Sequence, residues 1–138
     1  MSASQPTERS MSSQLSGDAG GEPAFEVVDL ALGAVAGVAV RGEVELATAP
    51  ALTAALDEGI RRTAGLFVID LSMVDFLDSC GIQCLIRARA LLGRDDRPVA
   101  LICPPGNVRR VLEIAAVAEL FALYHSRDEL ARALAGPR

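Results

Sequence analysis

Val68–Leu85 reads VIDLSMVDFLDSCGIQCL, and the fold class turns on it. The segment opens inside an apolar run, Leu66–Leu71 (LFVIDL), suited to a strand buried on both faces. Ser72–Asp78 then carries Asp75 and Asp78 and is expected to be a loop. Ser79 opens a helix to about Leu92, with Ile82, Leu85, Ile86, Ala88 and Leu92 at helical spacing and Gly93 as its stop. A buried strand feeding a helix is half of a parallel crossover. The ground just beyond the carboxyl end of such a strand is where open α/β sheets place their ligands.

The flanking sequence repeats the pattern. Upstream, Phe25–Leu32 and Val35–Val44 read as strands joined by a tight turn at Gly33. Thr48 is expected to cap a helix that has Pro50 in its first turn. Leu52, Ala55, Leu56 and Ile60 line that helix, Arg61 and Arg62 suit its last turn, and Gly65 ends it. Downstream, Pro98–Cys103 is a second buried strand, Pro104-Pro105-Gly106 a turn, and Asn107–Ala116 a third helix with Val108, Val111, Leu112 and Ala115 on one side. Phe121–Tyr124 is a short last strand. Ser126 and Glu129 form a capping box for a final helix that sends Leu130, Ala133 and Leu134 inward. The order β-β-α-β-α-β-α-β-α predicts an α/β fold: a mixed, largely parallel β-sheet with four helices.

A chain of 138 residues, 51% of them apolar, has room for one core. Residues 1–23 are rich in Ser, Gln and Gly and read as a disordered polar tail; residues 24–136 read as the domain. The formal net charge is −5, and no basic cluster offsets it. That balance argues against nucleic acid and against an anionic membrane surface as partners. Without a secretory pattern at the start or an apolar run of about 20 residues, the expected location is the cytoplasm. All basic side chains are Arg and none is Lys; with the high Ala content, this usage is that of a GC-rich bacterial genome.

Ser79 is the residue that carries chemistry. On local pattern alone, capping the helix is its commoner role, because a hydroxyl there satisfies a free backbone N–H. The same position also suits a modification. A phosphate would meet free N–H groups and the positive end of the helix dipole. It would add about −1.5 to −2 charges beside Asp78 and Asp75, repelling a partner that docks over the bare hydroxyl.

Asp78-Ser79-Cys80-Gly81, following a strand that ends in Asp70-Leu71, resembles the signature of STAS domains of the anti-sigma-factor-antagonist type. Gly42-Glu43-Val44-Glu45 with Thr48-Ala49 is similar to that family's Gly-Glu-hydrophobic-Asp segment and helix cap. Asn107–Glu113 resembles its third helix, and Phe121–Ser126 with Glu129 its closing strand and helix, so the likeness spans about Phe25 to Leu134. Three positions depart from the pattern: Cys80 replaces a common Ser or Thr, Glu45 replaces Asp, and Ala116 replaces Gly.

The resemblance implies a binding module without catalytic residues, cofactor or metal. Ser79 would be phosphorylated by an anti-sigma factor that is also an ATP-dependent serine kinase. The unphosphorylated protein would sequester that factor and release a sigma factor for transcription, and a serine phosphatase would reset the cycle. Asp75, Asp78, Ser79, Cys80, Gly81, Glu43 and Glu45 would form the partner-binding surface. An accessory STAS protein of a stressosome or a lipid-transport complex is the alternative.

Other constellations are weaker. The spacing of Asp70, Asp75 and Asp78 matches no calcium loop, so these read as solvated loop carboxylates and an N-terminal helix charge. Cys80, at a helix start, could serve as a redox sensor or, with Ser79, as a nucleophile, but no base lies nearby in sequence. Cys80, Cys84 and Cys103 read instead as buried thiols of a reducing compartment. His125 is far in sequence from Ser79, and no G-x-S-x-G elbow or P-loop is present. Arg109-Arg110 reads as a solvated helix face.

Overall fold

The computed structural model describes residues 25–136; the proposed tail lies outside the described residues. Five strands, β1 (Phe25–Leu32), β2 (Val35–Val44), β3 (Phe67–Leu77), β4 (Val99–Ile102) and β5 (Ala122–Tyr124), form one sheet in the order β1-β2-β3-β4-β5. Four α-helices connect or follow them: α1 (Ala49–Arg61), α2 (Ser79–Arg94), α3 (Asn107–Ile114) and α4 (Arg127–Ala135). The β1–β2 pair is antiparallel and the other three pairs are parallel. The expected element order and sheet class are therefore observed.

The turn between β1 and β2 is two residues long, since Leu32 pairs with Val35, and Gly33 supplies the positive φ of 61°. Alternation along the strands separates two faces. Val38, Val40, Val44, Ile69, Leu71 and Leu101 face α1, α2 and α3, whose Leu52, Leu56, Leu85, Leu92 and Leu112 complete the main core. Leu30, Val68, Ala100 and Ile102 face the other way and meet Leu130 of α4 in a smaller cluster.

Several boundaries differ from the sequence reading. Ser72–Leu77 is not a loop; β3 continues through it because the long β2 still offers partners, with Arg41 opposite Met73 and Val44 opposite Leu77. Two register shifts, between Ala39 and Arg41 and between Gly42 and Glu43, fit the longer β3 to β2 and hide the strand's alternation in the sequence.

Gly93 does not stop α2. The helix runs to Arg94 and closes in a Schellman motif: Arg97 N–H donates to Leu92 O at 2.9 Å and Asp96, at φ 56°, donates to Gly93 O at 3.1 Å. The same motif closes α3 at Ile114, where Val117 N–H donates to Leu112 O at 2.9 Å and Ala116 N–H to Glu113 O at 3.0 Å. Ala116 holds the left-handed position there, at φ 62°.

Thr48 occupies the N-cap of α1, but its side chain does not cap the helix. Its hydroxyl donates instead to Glu43 O (2.9 Å) and accepts from Glu45 N–H (3.0 Å), bracing the loop before the helix. In α4, Ser126 Oγ accepts from Glu129 N–H as expected, while the Glu129 carboxylate accepts from His125 N–H, one residue before the cap. Leu130 alone of the three predicted residues is buried; Ala133 and Leu134 are exposed. A short 3-10 turn, Ala118–Leu120, precedes β5; Phe121 closes it, so the last strand starts one residue later than expected, at Ala122.

Candidate functional site

The site is built where β2 and β3 end side by side. Asp78 N–H donates to Val44 O at 3.1 Å, so the last rung of the β2–β3 ladder runs directly into the start of α2. The cap of that helix is Asp78, not Ser79. The Asp78 carboxylate accepts the amides of Cys80 (2.9 Å) and Gly81 (3.3 Å), and an Asp with extended backbone geometry outcompetes a neighbouring hydroxyl for those donors. Ser79 becomes the first helical residue, and it is exposed.

Gly81 is buried beneath this turn. A Cβ there would stand 2.4 Å from Leu77 Cδ1 and 2.7 Å from Val44 Cγ1. Only a glycine lets the first turn of α2 pack this closely on the ends of β2 and β3. Cys80 is half-buried beside it.

The remaining predicted residues gather around the same edge. Glu43 lies opposite Phe76 in the ladder and is exposed. Glu45 is half-buried, and its carboxylate accepts the Ala47 amide at 2.7 Å, which shapes the loop into α1. Asp75 is exposed on the last stretch of β3 and borders a shallow cavity of about 240 Å³ shared with Ser72, Cys103 and Asn107. No basic residue occurs in Gly42–Ile60 or Thr63–Ile86, so this edge carries carboxylates without compensating cations of its own segments.

Apolar groups on this edge escaped the sequence reading. Leu46 is 74% exposed, Met73 59% and Phe76 50%. Within Met73–Leu77 (MVDFL) the apolar residues form two interleaved pairs, Met73 with Phe76 and Val74 with Leu77. The three-residue spacing within each pair departs from the two-residue alternation of a strand because of the register shift between Gly42 and Glu43, and Val74 and Leu77 are the buried pair. That interleaving was the available signal.

Asp70 is not the solvated loop carboxylate that its sequence context predicts; it is 2% exposed. Its Oδ1 accepts from Ser72 N–H (2.9 Å) and Ser72 Oγ–H (2.6 Å), and its Oδ2 accepts from Arg127 Nε–H at 2.6 Å. The three cysteines are free thiols. Cys84 is buried against Thr53 Oγ1 (3.3 Å) and Ala49 O (3.5 Å). Cys103 is buried as well, and its desolvation pushes the thiol pKa up despite the opposing pull of Arg109. Arg109 donates to Cys103 O and pairs with Glu113, while Arg110 is exposed; both line a cavity of about 300 Å³ with His125 at the ends of β4 and β5. Among the described residues, no group of three or more His, Cys, Asp or Glu is arranged to hold a metal ion, and no helix is long and apolar enough to cross a membrane.

The family model of the STAS domain matches residues 31–130, which run from the end of β1 through β2 to β5 and reach into α4. The chain is 28% identical over 104 residues to the anti-sigma-F factor antagonist RsfB of Mycobacterium tuberculosis, covering 75% of this chain and 84% of that relative. Among solved structures, an anti-sigma factor antagonist from Mycobacterium paratuberculosis superimposes with a TM-score of 0.72 at 28% identity, covering 79% of this chain and 92% of that one. The anti-sigma factor antagonist SpoIIAA in its unphosphorylated form shares the fold alone, with a TM-score of 0.65 at 15% identity over 83% of this chain and all of that one. With the family match extending over most of its length and the same sheet and helix order, this chain belongs to the STAS domain family.

Proposed function

We propose that this protein is an anti-sigma factor antagonist whose docking is switched by phosphorylation of Ser79. The observation that carries the reading is the placement of Ser79: exposed, first in α2, and flanked by a carboxylate that already caps the helix. Because Asp78 does the capping, the Ser79 hydroxyl is not spent on the fold, and modifying it leaves the cap in place. The mycobacterial relatives at 28% identity, which are anti-sigma factor antagonists by name, support the antagonist part of this reading.

The docking surface consists of Leu46 and Phe76 with Glu43, Glu45, Asp75 and Asp78 around Ser79, and Met73 further along the strand. Exposed apolar side chains rimmed by charge are what a protein partner buries. The partner is an anti-sigma factor with ATP-dependent serine kinase activity, and its contact face is basic where this edge is acidic. A phosphoserine adds about −1.5 to −2 charges to that edge and a hydration shell that docking would strip. The complex dissociates, and a serine phosphatase restores it.

Incubation with a cognate kinase and ATP, followed by peptide mass spectrometry, tests the reading. Phosphate on Ser79, retained partner binding by Ser79→Ala, and binding weakened at least about tenfold by Ser79→Glu are expected. Phosphate confined to other residues, or equal binding by both variants, would overturn it.

A further inference from the structure

Asp70 is the one buried charged or polar side chain among the described residues, and it sits at a junction. It is the last β3 residue with a neighbour on both sides, opposite Ala39 of β2 and Ile102 of β4. Immediately after it the β2–β3 register shifts, so that Leu71 and Ser72 face a single β2 residue, Val40. From that point β3 pairs with β2 alone as it runs to Leu77 and the start of α2. The Asp70 carboxylate holds this bulge from within, taking both the backbone and the hydroxyl hydrogen of Ser72.

The other carboxylate oxygen reaches out of the strand to the first residue of α4. Arg127 is 55 residues away from Ser72 in sequence, yet the two side chains meet on one carboxylate. Helix α4 has little else to hold it, since Leu130 is its only buried residue. The Arg127 side chain is 49% exposed, so this contact is reachable from solvent while Asp70 is not.

We infer that Asp70 is a positioning residue that fixes the bulge leading to the Ser79 edge and makes that edge depend on the docking of α4 through Arg127. The carboxylate must satisfy Ser72 and Arg127 together. When Arg127 leaves, a buried anion keeps only the short-range donors of Ser72. A uncompensated charge in a dry site draws in water or rotates toward it, and either movement frees Ser72 from the bulge. The distal half of β3 then loses its fixed direction, and with it the seat of α2. Events at α4, on the opposite face of the sheet from α1–α3, are thereby felt at Ser79. The bearing on partner docking rests on the function proposed above; the mechanical link does not.

Amide hydrogen exchange on the full chain, read by mass spectrometry, tests the link without any partner. Arg127→Ala removes a half-exposed side chain and leaves both apolar clusters intact; Asp70→Asn removes the charge itself. Each is expected to speed exchange about tenfold or more in peptides covering Leu71–Gly81 as well as in α4, with β1 and α1 unchanged. Faster exchange confined to α4 would show that the ion pair merely anchors that helix. A uniform rise across the chain would show general destabilisation. Either result overturns the inference, and neither bears on whether Ser79 is phosphorylated.

Discussion

Gly81 lies against Val44: a methyl group on the glycine would stand 2.7 Å from Val44 Cγ1, well inside van der Waals contact. The clash involves two buried side chains of the main core, the β-branched Val44 and the strand-end Leu77. Gly81→Ala is therefore expected to lower stability by about 1–3 kcal/mol, despite alanine's better helix propensity. Urea unfolding reads the change directly; unaltered or raised stability would show that the first turn of α2 is not seated as described.

Asp78 carries the cap that Ser79 does not. Asp78→Ala should cost about 1 kcal/mol, because the Cys80 and Gly81 amides lose their acceptor. Ser79→Ala should leave stability within about 0.5 kcal/mol of wild type, as an exposed side chain outside any cap. Thermal melts of the two variants separate the roles, and a larger loss in Ser79→Ala than in Asp78→Ala would reverse them.

Ala116 holds a left-handed backbone that glycine adopts without steric cost. Ala116→Gly relieves that strain and gives up some unfolded-state stiffness, for a net gain of about 0.5 kcal/mol. A fall in the denaturation midpoint would count against the Schellman closure of α3.

The thiols should react in order of burial. Iodoacetamide is expected to label Cys80 in the folded protein, while Cys84 and Cys103 react only after unfolding. The raised pKa of Cys103 has a pH consequence. Below the ordinary thiol range both folded and unfolded chains keep the proton, and the site is neutral toward pH. Above it the unfolded chain ionises first, so stability falls as pH rises toward the folded pKa. Cys103→Ala should flatten that alkaline limb; an unchanged slope would remove Cys103 as its source.

Phe76 is half exposed and is not one of the buried residues of the main cluster. Phe76→Ser should leave the melting temperature within a few degrees of wild type while weakening capture of the anti-sigma partner about tenfold or more, a change visible in titration calorimetry. Full affinity in that variant would place the docking surface elsewhere.

Much of this architecture is written in periodicity. The helical spacing of Leu52 and Leu56, the apolar run Leu66–Leu71 and the turn glycine at 33 each report a local preference that tertiary packing then respects. The site was legible to the extent that its residues are neighbours in sequence: Asp75, Asp78 and Ser79 fall within five positions, and Glu43 and Glu45 join them because β2 and β3 end together. What could not be read was set by pairing at a distance. Ser72–Leu77 lacks the two-residue alternation of a regular strand and becomes strand because β2 is long enough to partner it, register shifts included. Asp70 looks solvated until Arg127, far along the chain, is brought to it. Ser79 and Asp78 are both good caps, and only the extended geometry of Asp78 decides between them.

The two-residue turn at Gly33 also sets an order of events during folding. The β1–β2 hairpin is the one strand pair that can form from local sequence, on a timescale of about 1–10 μs. Every other pair in the sheet is parallel and must wait for a helix-bearing segment to close over it, which costs chain entropy before any contact repays it. The ribbon made by Phe25–Val44 is thus the natural template on which β3 registers, bulges included, and the Ser79 edge is among the later parts of the molecule to take shape.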